Sequence, residues 1–195
     1  MKASLINKKY DFISGWYIDK KVCKNVIKFF NRNKKNHVQG KVGNNEINKK
    51  VKVSTDLSVM PNYEDDKDWS NYLTELRKVL DNYKKEYPFS NVGHSPWGCT
   101  EGINIQRYKP NEGFYEWHSE RTGITKPLRH LVFMTYLNDV KNKGETEFYH
   151  QKLKVKPETG LTLIWPSDWT FLHRGIPSKT ETKYIVTGWY SYLSK

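Results

Sequence analysis

This 195-residue sequence has little cysteine, few arginines and no long apolar run. Its two cysteines, Cys23 and Cys99, lie far apart and form no CxxC pair, which excludes a disulfide framework and a cysteine-based zinc site. Any metal must then rest on histidine and carboxylate. No apolar run approaches the roughly 18 residues that span a bilayer. The opening Met1-Lys2-Ala3-Ser4 also lacks the apolar stretch of about 7–15 residues found in secretion signals. A cytoplasmic protein with no membrane partner is expected. Arginine supplies 6 of the 33 basic residues, whereas base-reading surfaces favour its forked guanidinium, so nucleic acid is not the favoured partner. Lysine- and asparagine-rich, arginine-poor usage points to an AT-rich genome, such as that of a virus in a bacterial host.

Aromatic residues are plentiful, with 7 Trp, 13 Tyr and 8 Phe, enough large apolar surface for one core. The length fits one domain over residues 1–195. Charge is uneven. Residues 1–60 hold 14 Lys and Arg against 4 Asp and Glu, and residues 61–195 hold 19 against 17. The basic excess, including Lys20, Lys21, Lys24, Lys28, Arg32, Lys34, Lys35, Lys41, Lys49, Lys50 and Lys52, reads as a solvated helix face and loops. It is also able to attract phosphate or an acidic surface.

Ile18, Val22, Val26, Phe29 and Phe30 recur at helical spacing behind Asp19, a capping residue. Gln39–Asn48 reads as a turn-rich loop, and Val51, Val53 and Leu57 alternate as a short strand. Trp69, Tyr72, Leu73, Leu76, Val79, Leu80 and Tyr83 form a second helical stripe that ends before Pro88. From Gly102 the texture turns to short β-type runs: 103–108, 129–137, 145–149, 152–155, 161–165, 170–172 and 183–193, with 114–117 as an eighth. Such spacing predicts an α+β, mainly β protein. Residues 1–100 form a basic part whose two helices back a sheet, and 101–195 form two packed antiparallel sheets of jelly-roll type.

His118-Ser119-Glu120 places two metal-ligating side chains on one side of an extended segment. His173 follows on a later run. Two imidazoles and a carboxylate on one face of a metal leave positions open, the arrangement of non-haem Fe(II) oxygenases. The surroundings carry more information than this spacing. Arg107 to Glu120 resembles the Tyr…HxD entry of prolyl-4-hydroxylase-like 2-oxoglutarate/Fe(II) oxygenases. Arg129 to Asp139 with Gly144-Glu-Thr-Glu-Phe148 is similar to that family's Arg-to-Tyr-Leu-Asn-Asp strand and GETxF turn. His173-Arg-Gly-Ile-Pro177, Lys183 and Trp189 are similar to its H…P…K…W end.

The resemblance implies a double-stranded β-helix core and a dioxygenase that uses Fe(II), 2-oxoglutarate and O2 and releases succinate and CO2. It implies His118, Glu120 and His173 as iron ligands. Lys183 and Tyr136 would hold the far carboxylate of 2-oxoglutarate, with Tyr108 near its metal-proximal end. Glu120 departs from the family's aspartate, and its extra methylene moves the carboxylate outward unless the backbone retreats. A competing arrangement turns Glu120 away and lets Ser119 or Glu116 replace it. Arg129 is expected in a structural ion pair, for instance with Asp139. Trp189 and Arg174 are assigned to the substrate rim, with Trp117, Trp165 and Trp169 flanking the mouth. Residues 55–68 are expected as a mobile flap over the substrate.

The resemblance favours a prolyl residue in a peptide or protein as substrate. A free amino acid or other small molecule is the alternative within the same chemistry. From other classes, a nucleic-acid-modifying oxygenase and a non-catalytic metal-binding module remain open.

Overall fold

The computed structural model describes residues 12–43, 46–63, 65–93 and 95–193. Asp19 accepts a hydrogen bond from the Lys21 amide and starts helix α1 (Lys20–Arg32), which buries Cys23, Val26, Phe29 and Phe30. Asp66 accepts from the amides of Asp68 and Trp69 and starts α2 (Lys67–Glu86), which buries Trp69, Tyr72, Leu76, Val79 and Tyr83. Both helices thus begin at an acidic cap and bury the predicted stripe. Arg32, in the last turn of α1, pairs with Asp66 and Asp68 at the start of α2, where each charge also suits the local helix dipole.

The strands are β1 (Ser14–Tyr17), β2 (Val38–Gln39), β3 (Thr55–Val59), β4 (Trp97–Gly98), β5 (Ile103–Tyr108), β6 (Arg129–Tyr136), β7 (Thr146–Phe148), β8 (Leu153–Val155), β9 (Leu161–Pro166), β10 (His173–Gly175) and β11 (Lys183–Tyr192). The larger sheet runs β1-β9-β6-β11-β5-β3-β2, with β4 also paired to β11, and the smaller runs β10-β7-β8. Every pairing in both is antiparallel.

Because strand side chains alternate, the large sheet feeds two cores. Leu131 and Phe133 of β6, with Val186 and Tyr190 of β11, pack among the helix residues. Val132, Met134, Tyr136 and Ile185 pack with Phe148 and Val155 of the small sheet. Helices therefore back one face, as expected, and the small sheet faces the other.

Several local expectations are corrected. The run 170–172 is no strand: Trp169–Phe171 form a 3₁₀ turn, and pairing begins at His173. Residues 114–117 form no ladder; Phe114 and His118 make single bridges to Lys52 and His173. Ser14–Tyr17, not expected as a strand, lies along β9, and Gly15 breaks the alternation there because a Cβ would stand 2.8 Å from Leu163. Around Val51 the inward phase is reversed, with Lys52, Ser54 and Asp56 buried and Val51 and Val53 half-buried, but Leu57 is buried as expected, and the strand starts at Thr55. Of the flap expected at 55–68, Thr55–Val59 is instead hydrogen-bonded into the sheet between β2 and β5. Among the described residues no helix is long and apolar enough to cross a membrane.

Gly160 links the N-terminal part to this sheet. Its carbonyl accepts from the Ile18 amide and its amide donates to the Tyr136 carbonyl; its φ is +90°, and a Cβ there would sit 2.6 Å from the Ile18 carbonyl oxygen. Gly160→Ala should therefore destabilise the fold by about 1–3 kcal/mol, the usual cost of forcing a side chain into such a backbone region, measurable as a lower denaturant midpoint.

Candidate functional site

His118 lies outside any ladder, yet its position is fixed by its own backbone. The amides of His118 and His173 each donate to the other's carbonyl, both at 2.9 Å, so a hydrogen-bonded pair joins the irregular segment to β10. Each imidazole is then turned the same way. Nδ1 of His118 lies 3.0 Å from the Glu116 carbonyl oxygen and Nδ1 of His173 lies 2.9 Å from that of Phe171. A carbonyl only accepts, so Nδ1 carries the proton in both rings and each Nε2 keeps a free lone pair.

Glu120 Oε1 lies 3.7 Å from Nε2 of His118 and 3.5 Å from Nε2 of His173. The ligand atoms of the three residues lie within 4.8 Å of one another. Two ligands at right angles with bonds of about 2.1 Å stand roughly 3 Å apart, so small side-chain rotations bring these atoms to one ion. Two imidazole nitrogens and one carboxylate oxygen on one side are a donor set that suits Fe(II). Glu120 does not turn away, and Glu116 contributes its backbone carbonyl to His118 rather than a ligand.

Burial, followed by the neighbouring His173, lowers the His118 pKa to about 4. Burial opposes ionisation of Glu120, but Arg129, together with His173 and His118 once acid protonates them, outweighs it and holds the carboxylate at about 2. Neutral imidazole beside ionised carboxylate is the state a metal requires. Phe114 stacks on His118 with ring centres 3.6 Å apart, and Trp165 meets His173 edge-on at 5.2 Å.

The triad opens on a cavity of about 630 Å³. Lys183, Ile185, Thr187 and Trp189 of β11 all line it, as the alternation of one strand face requires. Lys183 is 4% exposed, and its Nζ donates to the Gly144 carbonyl at 2.9 Å. No carboxylate pairs with it among the described residues, and burial pulls its pKa down to about 8. The ammonium also lies 5.2 Å from the Tyr108 ring centre, and the more distant Glu145 offsets only part of the effect of burial, so the buried charge is unfavourable unless an anion arrives.

Other expected residues divide. Tyr108 lines the cavity and donates its hydroxyl to Gln106 Oε1 at 2.8 Å. Tyr136 is fully buried and donates to Thr146 Oγ1 at 2.7 Å and the Val155 carbonyl at 3.2 Å; Thr146 is the one of this pair that lines the cavity. Arg174 lines the mouth, donates from Nε to Glu147 at 2.9 Å and lies over the Trp117 ring. Trp189, assigned to the rim, instead donates Nε1 to Glu120 Oε2 at 2.9 Å. Arg129 pairs with Glu101 and Glu120 rather than Asp139, whose carboxylate accepts from Thr159. Trp165 is buried between the sheets, not at the mouth, while Trp169 is 68% exposed. His94 falls outside the described residues.

Sequence reasoning missed two groups. Lys52 was assigned to solvent, yet its Nζ donates to Asp56 Oδ2 at 2.7 Å in the cavity wall. Asp56 also accepts from Ser54 and Gln106, and Gln106 in turn accepts from Tyr108. The signal was weak: a lysine and an aspartate four apart in a β context, which a reading of charge as solvation discards. Glu101, paired with Arg129 and Lys126, carried no motif.

Residues 103–191 match the model of the family described as the 2OG-Fe(II) oxygenase superfamily. No curated protein matches the chain. Among solved structures it is similar to a prolyl hydroxylase of Trichoplax adhaerens in complex with a hypoxia inducible factor oxygen degradation domain peptide fragment, with TM-score 0.74, 16% identity and coverage of 94% of this chain and 85% of that one. A Pseudomonas putida prolyl-4-hydroxylase gives TM-score 0.70 at 14% identity, covering 94% of each chain. The viral collagen prolyl hydroxylase of Paramecium Bursaria Chlorella virus-1, in a 2OG complex, gives 0.65 at 18%, covering 94% of this chain and 97% of that one. At such identities the likeness is one of fold.

The Lys183 environment sets a pH dependence. Its folded-state pKa of about 8 lies below the ordinary lysine value of 10.5, so between these values the unfolded chain holds a proton that the folded protein lacks, and stability rises with pH across that window. Lys183→Met should remove the cost of the buried charge. The metal-free variant should melt higher than the native protein at pH 7, by about 2–4 °C per kcal/mol released, with the gap closing between pH 8 and 10.5. A melting series across pH checks this.

Proposed function

We propose that this protein, whose residues 103–191 match the model of the 2OG-Fe(II) oxygenase superfamily, works with Fe(II), 2-oxoglutarate and O2 and hydroxylates a prolyl residue of a peptide or protein. The single observation that carries the reading is the buried Lys183 ammonium, without an acidic partner among the described residues, in the same cavity as His118, Glu120 and His173. A metal triad alone fits many proteins. A triad sharing its cavity with an unneutralised cation fits a metal-chelating dicarboxylate. The same observation weighs against a non-catalytic module, which has no use for such an anchor.

In this reading His118, Glu120 and His173 hold Fe(II) through Nε2, Oε1 and Nε2. Lys183 receives the far carboxylate of 2-oxoglutarate. Tyr136 acts at one remove: it donates to Thr146, whose own hydroxyl proton is held only by the weak acceptor Met134 Sδ at 3.8 Å and would turn to the same carboxylate. Tyr108, tethered through Gln106 to the Lys52–Asp56 pair, walls the metal-proximal side. Bound together, the metal and cosubstrate supply the oxidation of a C–H bond to C–OH by O2, with release of succinate and CO2. The chain itself orients these groups and keeps solvent from them.

Two features support a polypeptide substrate. First, the cavity is lined from distant parts of the chain, by Val38, Val42 and Val51 as well as by Trp117 and Arg174. Second, a row of rings leads outward from the mouth: Trp117 meets Tyr149 at 5.1 Å, Tyr149 meets His150 at 5.2 Å, and His150 meets Trp169 at 5.9 Å. Exposed aromatic rows suit extended, proline-bearing chains. The two sheets read as a double-stranded β-helix core. The N-terminal strands, laid on the edges of the larger sheet, make residues 1–195 one domain in this reading.

Succinate formation with Fe(II) and 2-oxoglutarate should rise on adding a proline-containing peptide and stay flat with free proline; the reverse result removes the peptide substrate. Trp169→Ala should raise the peptide KM about tenfold, on the order of one lost aromatic contact of 1–2 kcal/mol, while leaving the 2-oxoglutarate KM unchanged. Lys183→Met should lose 2-oxoglutarate binding by at least about 30-fold, the equivalent of a charge-assisted contact of 2 kcal/mol or more, measured by calorimetry on the Mn(II)-loaded protein.

A further inference from the structure

Glu120 stands where the resembling family has aspartate, and its surroundings are built around the difference. The backbone at this point cannot retreat. The Glu120 and Arg121 amides both donate to the Ser167 carbonyl, at 3.1 and 2.9 Å, and the Ser167 amide donates to the His130 carbonyl. Ser167 Oγ adds a hydrogen bond to the Arg129 carbonyl, so the segment is fixed to the ends of β6 and β9.

The side chain is fixed at its far end. Oε2 accepts from Arg129 Nη1 at 3.1 Å and from Trp189 Nε1 at 2.9 Å. Arg129 Nη1 also donates to the Glu120 backbone carbonyl at 3.1 Å. With Oε2 occupied, Oε1 is the oxygen that faces the two imidazoles. Arg129 in turn is held by a fork: its Nε and Nη2 donate to the two oxygens of Glu101 at 2.9 and 2.7 Å, and the Trp189 ring lies 3.5 Å from its guanidinium carbon. A bidentate pair of this kind fixes direction as well as charge. Glu101 also matters electrostatically, because an arginine with Glu120 as its sole acid partner would neutralise the carboxylate that a cation needs.

We propose that Glu101, Arg129 and Trp189 form a clamp matched to the length of Glu120, so that in this chain glutamate, bound through Oε1 alone, is the competent metal ligand and aspartate is not. The inference rests on the metal-site reading above. Shortening the side chain by one C–C bond, about 1.5 Å, on a fixed backbone withdraws the carboxylate from the clamp or from the imidazoles. Glu101 touches neither metal nor substrate in this arrangement and acts as a positioning residue through Arg129.

The test is Mn(II) binding, followed by calorimetry on the full chain, with the absorption spectrum of the Co(II) form as a second readout. Glu120→Asp, although it restores the family residue, should weaken Mn(II) binding at least about tenfold. Glu101→Gln should weaken it about 10–100-fold, as is usual for partners that orient a ligand, and alter the Co(II) spectrum while the metal-free melting temperature stays near native. Equal or tighter binding by Glu120→Asp overturns the clamp whether or not Glu101→Gln folds, as does native affinity in a folded Glu101→Gln. A native protein that binds no Mn(II) overturns the metal site itself, a result distinct from the other two.

Discussion

The reciprocal backbone hydrogen bonds between His118 and His173 are the constraint on which the site depends. They join a segment with no ladder of its own to the edge of the small sheet, and they bring two imidazoles from opposite ends of the β region into register. Each ring is then aimed by a backbone carbonyl two residues upstream of its own α-carbon. The metal-ligating geometry is therefore encoded in main-chain pairing, and the side chains need only be of the right type. This economy explains how the site tolerates an irregular connection on either side.

A second layer of organisation is electrostatic. Several of the charged groups along the cavity are paired. Lys52 is answered by Asp56, Arg129 by Glu101 and Glu120, and Arg174 by Glu147. Around Glu120 two carboxylates, Glu120 and Glu101, face two cations, Arg129 and Lys126, whereas the buried Lys183 ammonium has no carboxylate at ion-pair distance among the described residues, and burial makes that imbalance strong by keeping water from screening it.

How much of this was legible in the sequence follows from the range of the interactions. The two helices were readable because cap, stripe and breaker lie within one short window. The faces of β6 and β11 were readable because alternation is local. His118, Glu120, His173 and Lys183 stood out through short motifs with fixed order. What failed was pairing between segments. Nothing near Arg129 says that Glu101 answers it and Asp139 does not. Nothing near Trp189 says that its indole proton is spent on a carboxylate. The buried phase at Lys52, Ser54 and Asp56 inverts the hydrophobic pattern, because this stretch faces a polar cavity and not the apolar core. Charge near the N-terminus was read as solvated, which fits the exposed lysines of α1 and misplaces Lys52.

The position of β11 bears on how the molecule comes into being. It is the last of the described strands in chain order, yet it lies in the middle of the large sheet, between β5 and β6. A chain emerging from a ribosome must therefore leave the facing edges of β5 and β6 without their common partner until β11 has been made. Such late, long-range closure favours slow folding and leaves a transient strand gap that foreign segments are able to enter. Cellular yield should thus depend more on protection during synthesis than on the stability of the finished protein.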